Sequence, residues 1–373
     1  MKTAGEILGA LAGVALVLTI LWDAFETIVL PRRVSRRLRP TRLFYRATWA
    51  PWAALARRLP AGSARESILG YFGPLSLIVL LALWAAALVL GFGCIQWGAG
   101  SHIQAPAGIS GFPADLYVSG TTLSTLGLGD LYPLSASART LTVIEAGIGL
   151  GLLALVIGYL PVLYQSFSRR EASISLLDAR GGSPPSAGEL LRRYGEDGRP
   201  DGLAEFLKDW ELWASELLES HLSYPILAYY RSQHDNQSWL AALTALLDVC
   251  ALIMVGVDGT SVRAGRLTFA MARHLAADVS QIFGRVPRSP APDRLPAAAL
   301  SELRSVLAAA GLPLRAGPEA DGRLAELRAM YEPYVSAMAD YLLTPLPPWL
   351  PGPAAHDDWQ TTAWQPGGGS TPG

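Results

Sequence analysis

The sequence predicts an all-α membrane protein: three membrane-spanning helices, a short re-entrant helix with an irregular loop, and a helical domain after them. Three observations predict this. Residues 7–30, 67–97 and 141–164 are apolar runs of the length, about 20 residues, that a helix needs to cross a bilayer. A Thr- and Gly-rich stretch lies between the second and third runs. From residue 186 to 343, Ala, Leu and Arg recur at threes and fours, the helical period. Composition agrees, with 51% apolar and 16% charged residues, and a length of 373 residues leaves room for more than one domain. A formal net charge of -1 gives no reason to expect a nucleic-acid partner.

The first run ends in Pro31-Arg32-Arg33 with no small-residue cleavage site, so it is expected to be a retained helix and not a signal peptide. Asp23 and Glu26 stand three apart near its end and are expected to pair with Arg32 or Arg33. Residues 31–66 form a basic linker carrying Arg32, Arg33, Arg36, Arg37, Arg39, Arg42, Arg46, Arg57 and Arg58. Cytoplasmic flanks collect such charges, and such a linker can also lie along anionic lipid. The loop at 98–112 carries only His102, and Arg169 and Arg170 follow the third run. The expected topology is therefore N-terminus outside, basic linker inside and C-terminus in the cytoplasm.

A short helix is expected to start near Pro113, since Pro suits a first helical turn and Asp115 suits the positive end of the dipole. Its run to Ser124 is too short to cross the membrane. Ser119, Thr121, Thr122 and Ser124 give it hydroxyls. Next comes Thr125-Leu126-Gly127-Leu128-Gly129-Asp130, followed by Leu131-Tyr132-Pro133. At membrane depth an irregular backbone survives only inside protein or along a watery path. Glycines reach backbone angles that other residues avoid, so such a loop can turn carbonyls toward a cation and replace its water shell.

In these residues the chain resembles the bacterial potassium channel family, which forms tetramers and carries a re-entrant pore loop between two transmembrane helices. The family filter reads Thr-Val-Gly-Tyr-Gly-Asp. The Thr, both Gly, the Asp and the later Pro match in spacing. The resemblance covers roughly residues 67 to 170, with one extra helix in front. It implies ion sites made by the carbonyls of Thr125, Leu126, Gly127 and Leu128 and by the Thr125 hydroxyl. Gly129 and Asp130 complete the filter, and potassium ions occupy it. It also implies a homotetramer, because each subunit supplies one filter strand. Leu128 stands at the family's Tyr position and Leu126 at its Val position, while Tyr117 and Val118 stand where aromatic residues brace that Tyr. An apolar contact between Leu128 and Val118 is expected in its place, with a weaker preference for potassium over sodium.

In the third run, Glu145 is an acid inside a spanning segment and is expected to be buried with a partner. The resemblance puts it behind the filter, with the hydroxyls of Thr121 or Thr122 as expected partners. Gly149 falls where many relatives have a hinge glycine. A hinge and close helix packing through small residues are both open readings there.

Residues 171–185 end in Gly181-Gly182-Ser183-Pro184-Pro185 and read as a linker. Residues 186–344 read as a helical cytoplasmic domain, and 345–373 as a disordered Pro/Gly/Ser-rich tail. Trp239 to Gly256 is apolar, but Asp248 interrupts it, and it is expected to be a buried core helix. His274 and Asp278 are four apart and read as a surface pair. His221, His234 and Asp235 lie near the aromatic run from Tyr224 to Tyr230, where a pocket for an unidentified ligand or protein is conceivable. Cys94 and Cys250 sit in apolar stretches and read as bystander thiols. With no catalytic triad, phosphate loop or zinc pattern, neither an enzyme nor a cofactor is expected. The function expected is passive cation conduction by four subunits. The alternative is a membrane-anchored sensor or scaffold with a vestigial pore and a partner-binding helical domain.

Overall fold

The computed structural model describes residues 4–30, 39–100, 103–104, 109–196, 200–234, 236–257 and 262–351. They are almost wholly helical and divide into two compact units. One comprises residues 1–54 and 71–165, the other residues 55–70 and 166–373. Three helices are long and apolar enough to cross a membrane, spanning 4–29, 63–99 and 136–181.

In the first unit, α1 (Ala4–Ala24) continues as a π-helical turn over Phe25–Val29. It runs antiparallel to α3 (Ser63–Ala99), and glycines let the two backbones meet. A Cβ on Gly98 would lie 2.2 Å from the Glu6 carbonyl oxygen, and one on Gly13 would lie 2.5 Å from that of Gly91. Below these contacts Val17, Ile20 and Ala24 bury against Leu80, Trp84, Leu88 and Phe92. The outward face of α1, including Leu8, Leu11, Leu18 and Trp22, is left exposed, as suits a surface facing lipid.

Asp23 and Glu26 both have partners among the described residues; Arg32 and Arg33, expected to pair with them, lie outside those residues. Asp23 is buried and accepts from the Thr41 amide at 3.1 Å, the Thr41 hydroxyl at 2.5 Å and Trp84 Nε1 at 3.1 Å. Thr41 lies in the first turn of α2 (Pro40–Ala56), so the carboxylate caps that helix from a different one, at the positive end of its dipole. Glu26 accepts from Trp22 Nε1 at 2.8 Å and pairs with Arg39 at 3.3 Å. Much of the expected basic linker 31–66 is therefore helical.

The short helix α4 is Phe112–Leu123, with Pro113 in its first turn and Asp115 buried there. Two small strands, β1 (Ile103–Gln104) and β2 (Tyr132–Pro133), pair antiparallel and tie the segment before α4 to the one after the loop. The helix α5 (Ala136–Gly181) begins behind Ser135, whose hydroxyl accepts from the Ala138 amide at 3.2 Å. It runs on to Gly181, so most of the linker expected at 171–185 is helix. Residues 171–180 are ordinary helix formers, and the glycine pair at 181–182 ends the element.

The second unit is built from α6 (Ala187–Glu196), α7 (Pro200–Ser223), a 3₁₀ turn at Pro225–Tyr229, α8 (Trp239–Val255) and α9 (Val262–Ile282). It ends with α10 (Ala297–Ala309), α11 (Pro318–Ala329) and α12 (Glu332–Leu342). The helix α8, capped by Ser238, is buried along nearly its whole length and packs against α6, α9, α11 and α12, which makes it the expected core helix. Asp248 on α8 is fully buried. It takes the Arg294 guanidinium at 2.6 and 3.2 Å and the Tyr331 hydroxyl at 2.5 Å. Burial pulls Arg294 down, but Asp248 outweighs it and holds the guanidinium charged. Trp349 is buried beneath Arg294 and Arg328, each 5.7 Å from its ring, so the chain beyond Pro345 is packed at least to that residue. The rest of the expected tail, 352–373, lies outside the described residues.

Candidate functional site

The loop after α4 is held by the end of that helix. The Thr125 amide donates to the Thr122 carbonyl at 2.9 Å, and the Leu126 and Gly127 amides both donate to the Thr121 carbonyl, at 2.8 and 3.1 Å. In a trans peptide the C=O points opposite the N–H. With the amides of 126 and 127 directed back at Thr121, the carbonyls of Thr125 and Leu126 are directed away from α4, on one side. In an extended strand, successive carbonyls alternate sides. Here every second residue has a positive φ: Thr125 at 56°, Gly127 at 52° and Gly129 at 76°. That alternation turns every second peptide over and collects carbonyls on one face. Glycine takes such angles without strain, whereas Thr125, being β-branched, does not.

Asp130 closes the loop and accepts from the Tyr117 hydroxyl at 3.1 Å. Tyr117, expected to brace the filter, thus holds the residue at the end of the loop. Val118 is the residue expected against Leu128. It is buried with Ala114 and Leu131, while Leu128 is 59% exposed on its own chain. Val118 thus packs on Leu131, just beyond the loop.

Glu145 on α5 is fully buried, but its partners are not Thr121 or Thr122. Its carboxyl lies against the Ser119 hydroxyl and accepts from Gln96 Nε2 at 3.3 Å. Ser119 is also 2.9 Å from the Val89 carbonyl oxygen. The Thr121 hydroxyl returns to its own turn, to the carbonyls of Tyr117 and Val118 at 3.1 Å. The difference is one of helix phase. Two residues along a helix is a turn of about 200°, so Ser119 and Thr121 face opposite ways. Glu145 therefore ties α3, α4 and α5 together behind the loop.

Gly149 is a close-packing position. A Cβ there would lie 2.2 Å from the Leu123 carbonyl oxygen, so α5 touches the C-terminal end of α4. Gly147 and Gly151 have nothing of their own chain within 4 Å. Across residues 112–165 the charged groups are Asp115, Asp130 and Glu145 against Arg139 alone, an acidic balance suited to cations.

This arrangement has a counterpart among known families. Residues 78–165 match the family model described as Ion channel. No curated protein and no solved structure matches the chain. The matched stretch holds the loop, Glu145 and Gly149, and it lies inside the stretch 67–170 expected from the sequence. The chain is a membrane protein of three candidate spans, and its residues 78–165 are similar to an ion-channel family.

In the second unit, the exposed His274 lies 3.5 Å from Asp278, four apart on one helix, but Asp278 is buried, so the pair expected at the surface is only half exposed. His221 is buried, with Nδ1 2.9 Å from the Leu217 carbonyl oxygen and its ring 4.8 Å from that of Trp239. Burial first, then the charge of Arg170, pushes its pKa down to about 3. It is a neutral core group. Asp235, the third member of that expected cluster, lies outside the described residues. Sequence reasoning missed Ser119 and Gln96 as partners of Glu145, and Thr41 and Trp84 as partners of Asp23. Gln96 alone carried a signal, being a polar residue within the uncharged stretch from 67 to 114.

Proposed function

We propose that the protein is a potassium-type cation channel in which four copies surround one conduction path. Carbonyls of Thr125, Leu126, Gly127 and Leu128, with the Thr125 hydroxyl, replace the water around the ion, and Asp130 stands at the outer mouth. The observation that carries this reading is the direction of the loop peptides: amides back to Thr121, carbonyls away from α4. One chain supplies only one such face, and a cation needs oxygens all round. Leu126 is 62% exposed on the lone chain, as expected for a loop that neighbouring copies cover.

The antiparallel pairing of α1 with α3 puts the N-terminus at the same end as the 100–111 loop. This favours an outside N-terminus, a cytoplasmic C-terminus and a multi-pass protein in the cell membrane. The helical unit would then receive any regulatory ligand or protein from the cytoplasm. Potassium is the transported ion and no further cofactor is required.

The test is planar-bilayer recording of purified protein with potassium and sodium on opposite sides, alongside its mass in nanodiscs. A mass of four chains and a reversal potential favouring potassium are expected. A four-chain assembly that passes no ions would instead favour the sensor or scaffold reading.

A further inference from the structure

Two helices of the second unit carry exposed stripes of opposite charge. On α7, Glu205, Asp209, Leu212, Glu216 and Glu219 are all exposed, at spacings of four, three, four and three. That spacing puts them on one face. On α9, Arg263, Arg266, Leu267, Ala270 and Arg273 are likewise exposed along one face. Each stripe has a bare leucine near its middle, Leu212 at 61% and Leu267 at 51% exposure. None of these charges is ion-paired among the described residues. Like charges three or four apart repel mildly along a helix, a strain relieved on α7 at Glu205 by the exposed Lys208 three residues on. The other sides of both helices are committed to the core through Leu207, Trp210, Leu217, Phe269, Ala272 and Leu275.

We infer that the acidic face of α7 in one copy docks on the basic face of α9 in the next copy, with Leu212 against Leu267. The occupant follows from the charges. The chain presents both a leucine-centred acidic face and a leucine-centred basic face of matching helical period, so a second copy of this chain satisfies both. Such a contact joins unlike patches and is therefore heterologous. Repeated around an axis it closes a ring, which is the symmetry four pore subunits require. This inference rests on the four-subunit reading above. It adds that the helical units associate with one another and do not merely hang from the pore. Leucine contact supplies burial, and the flanking charges set register and exclude the like-charged pairings α7 on α7 and α9 on α9.

The test is disulfide trapping in the full chain, reconstituted in nanodiscs. Leu212→Cys combined with Leu267→Cys is oxidised and run without reductant, and the parent, with Cys94 and Cys250, serves as background. A ladder reaching four linked chains is expected for the double variant, and monomer for either single variant. Reversing the acidic face (Asp209→Arg with Glu216→Arg) should slow trapping by roughly tenfold or more. Adding Arg266→Glu and Arg273→Glu to that variant should restore the parent rate. No ladder in a preparation whose mass is four chains overturns the inference and leaves the channel reading standing. A one-chain mass sinks both. A ladder that forms but is not rescued by the double reversal also overturns the pairing, and it points to a different anion on the α9 face.

Discussion

Removing the Glu145 carboxyl tests whether the loop is supported from behind by a single buried group. Glu145→Ala takes away the hydrogen-bonding acceptor of the Gln96 amide, and Gln96 Oε1 already has no partner. The whole buried amide would then be unpaired, at a cost of about 1–3 kcal/mol. Ser119 is spared, because its hydroxyl can turn to the Val89 carbonyl. A vacated space of roughly 40 Å³ adds about 1 kcal/mol at ~24 cal/mol per Å³. The expected loss is therefore about 2–4 kcal/mol per chain. Glu145→Gln has the same shape, accepts from Gln96 through its oxygen and donates to Ser119 through its nitrogen, so it should lose little. The assay is thermal unfolding in detergent, followed by tryptophan fluorescence, paired with single-channel recording of open-state lifetime. The alanine variant should unfold several degrees lower with altered open times, and the glutamine variant should follow the parent. An alanine variant as stable as the parent, or a glutamine variant as damaged as the alanine one, would refute the reasoning.

Tyr117→Phe removes the hydroxyl that holds Asp130, an exposed contact costing about 1 kcal/mol; four-chain mass should persist while potassium currents decline faster during sustained recording, and unchanged currents would count against the bracing role. Gly149→Ala should abolish folded protein, because its methyl would overlap the Leu123 carbonyl, whereas Gly147→Ala meets open space on its own chain and should express normally; equal yields would contradict the packing. Below pH of about 6.5 the unfolded chain protonates His221 while the folded chain refuses the proton down to about 3. Stability should therefore fall with pH across that window, by at most about 1.4 kcal/mol per unit. His221→Phe keeps the stack on Trp239 and should flatten the fall, read as unfolding midpoints at pH 7 and pH 4.5.

The candidate spans were legible because long apolar runs admit few alternatives: 7–30, 67–97 and 141–164 coincide, to within a residue, with parts of helices at 4–29, 63–99 and 136–181. The loop was legible from its Thr-Gly-Gly-Asp spacing. What failed was any statement that depends on rotation about a helix axis. Thr121 and Ser119 are both hydroxyls on α4, and only the phase at which α4 meets α5 decides which one Glu145 reaches. Two segments were misjudged on composition. Arginines disguised α2 as a linker, although Trp49 and Ala53 repeat at a helical spacing and are buried. Prolines disguised residues 345–351 as tail, although Trp349 is an aromatic with a pocket between two arginines.

The close approach of α1 to α3 has a consequence for how the protein is made. At Gly13 and Gly98 the helices touch backbone to backbone, and neither contact leaves room for a lipid chain between them. If α1 crosses the bilayer as its length and composition allow, the ribosome releases it long before α3, and it enters with its glycine face bare. It must wait there, lateral diffusion unchecked, until its mate arrives. Asp23 waits with it, a carboxyl without Thr41 or Trp84. Insertion machinery that retains the first helix until the second emerges would resolve both problems at once. Replacing α1 with an unrelated hydrophobic anchor of equal length should therefore yield a chain that inserts but matures poorly, a defect of synthesis and not of conduction.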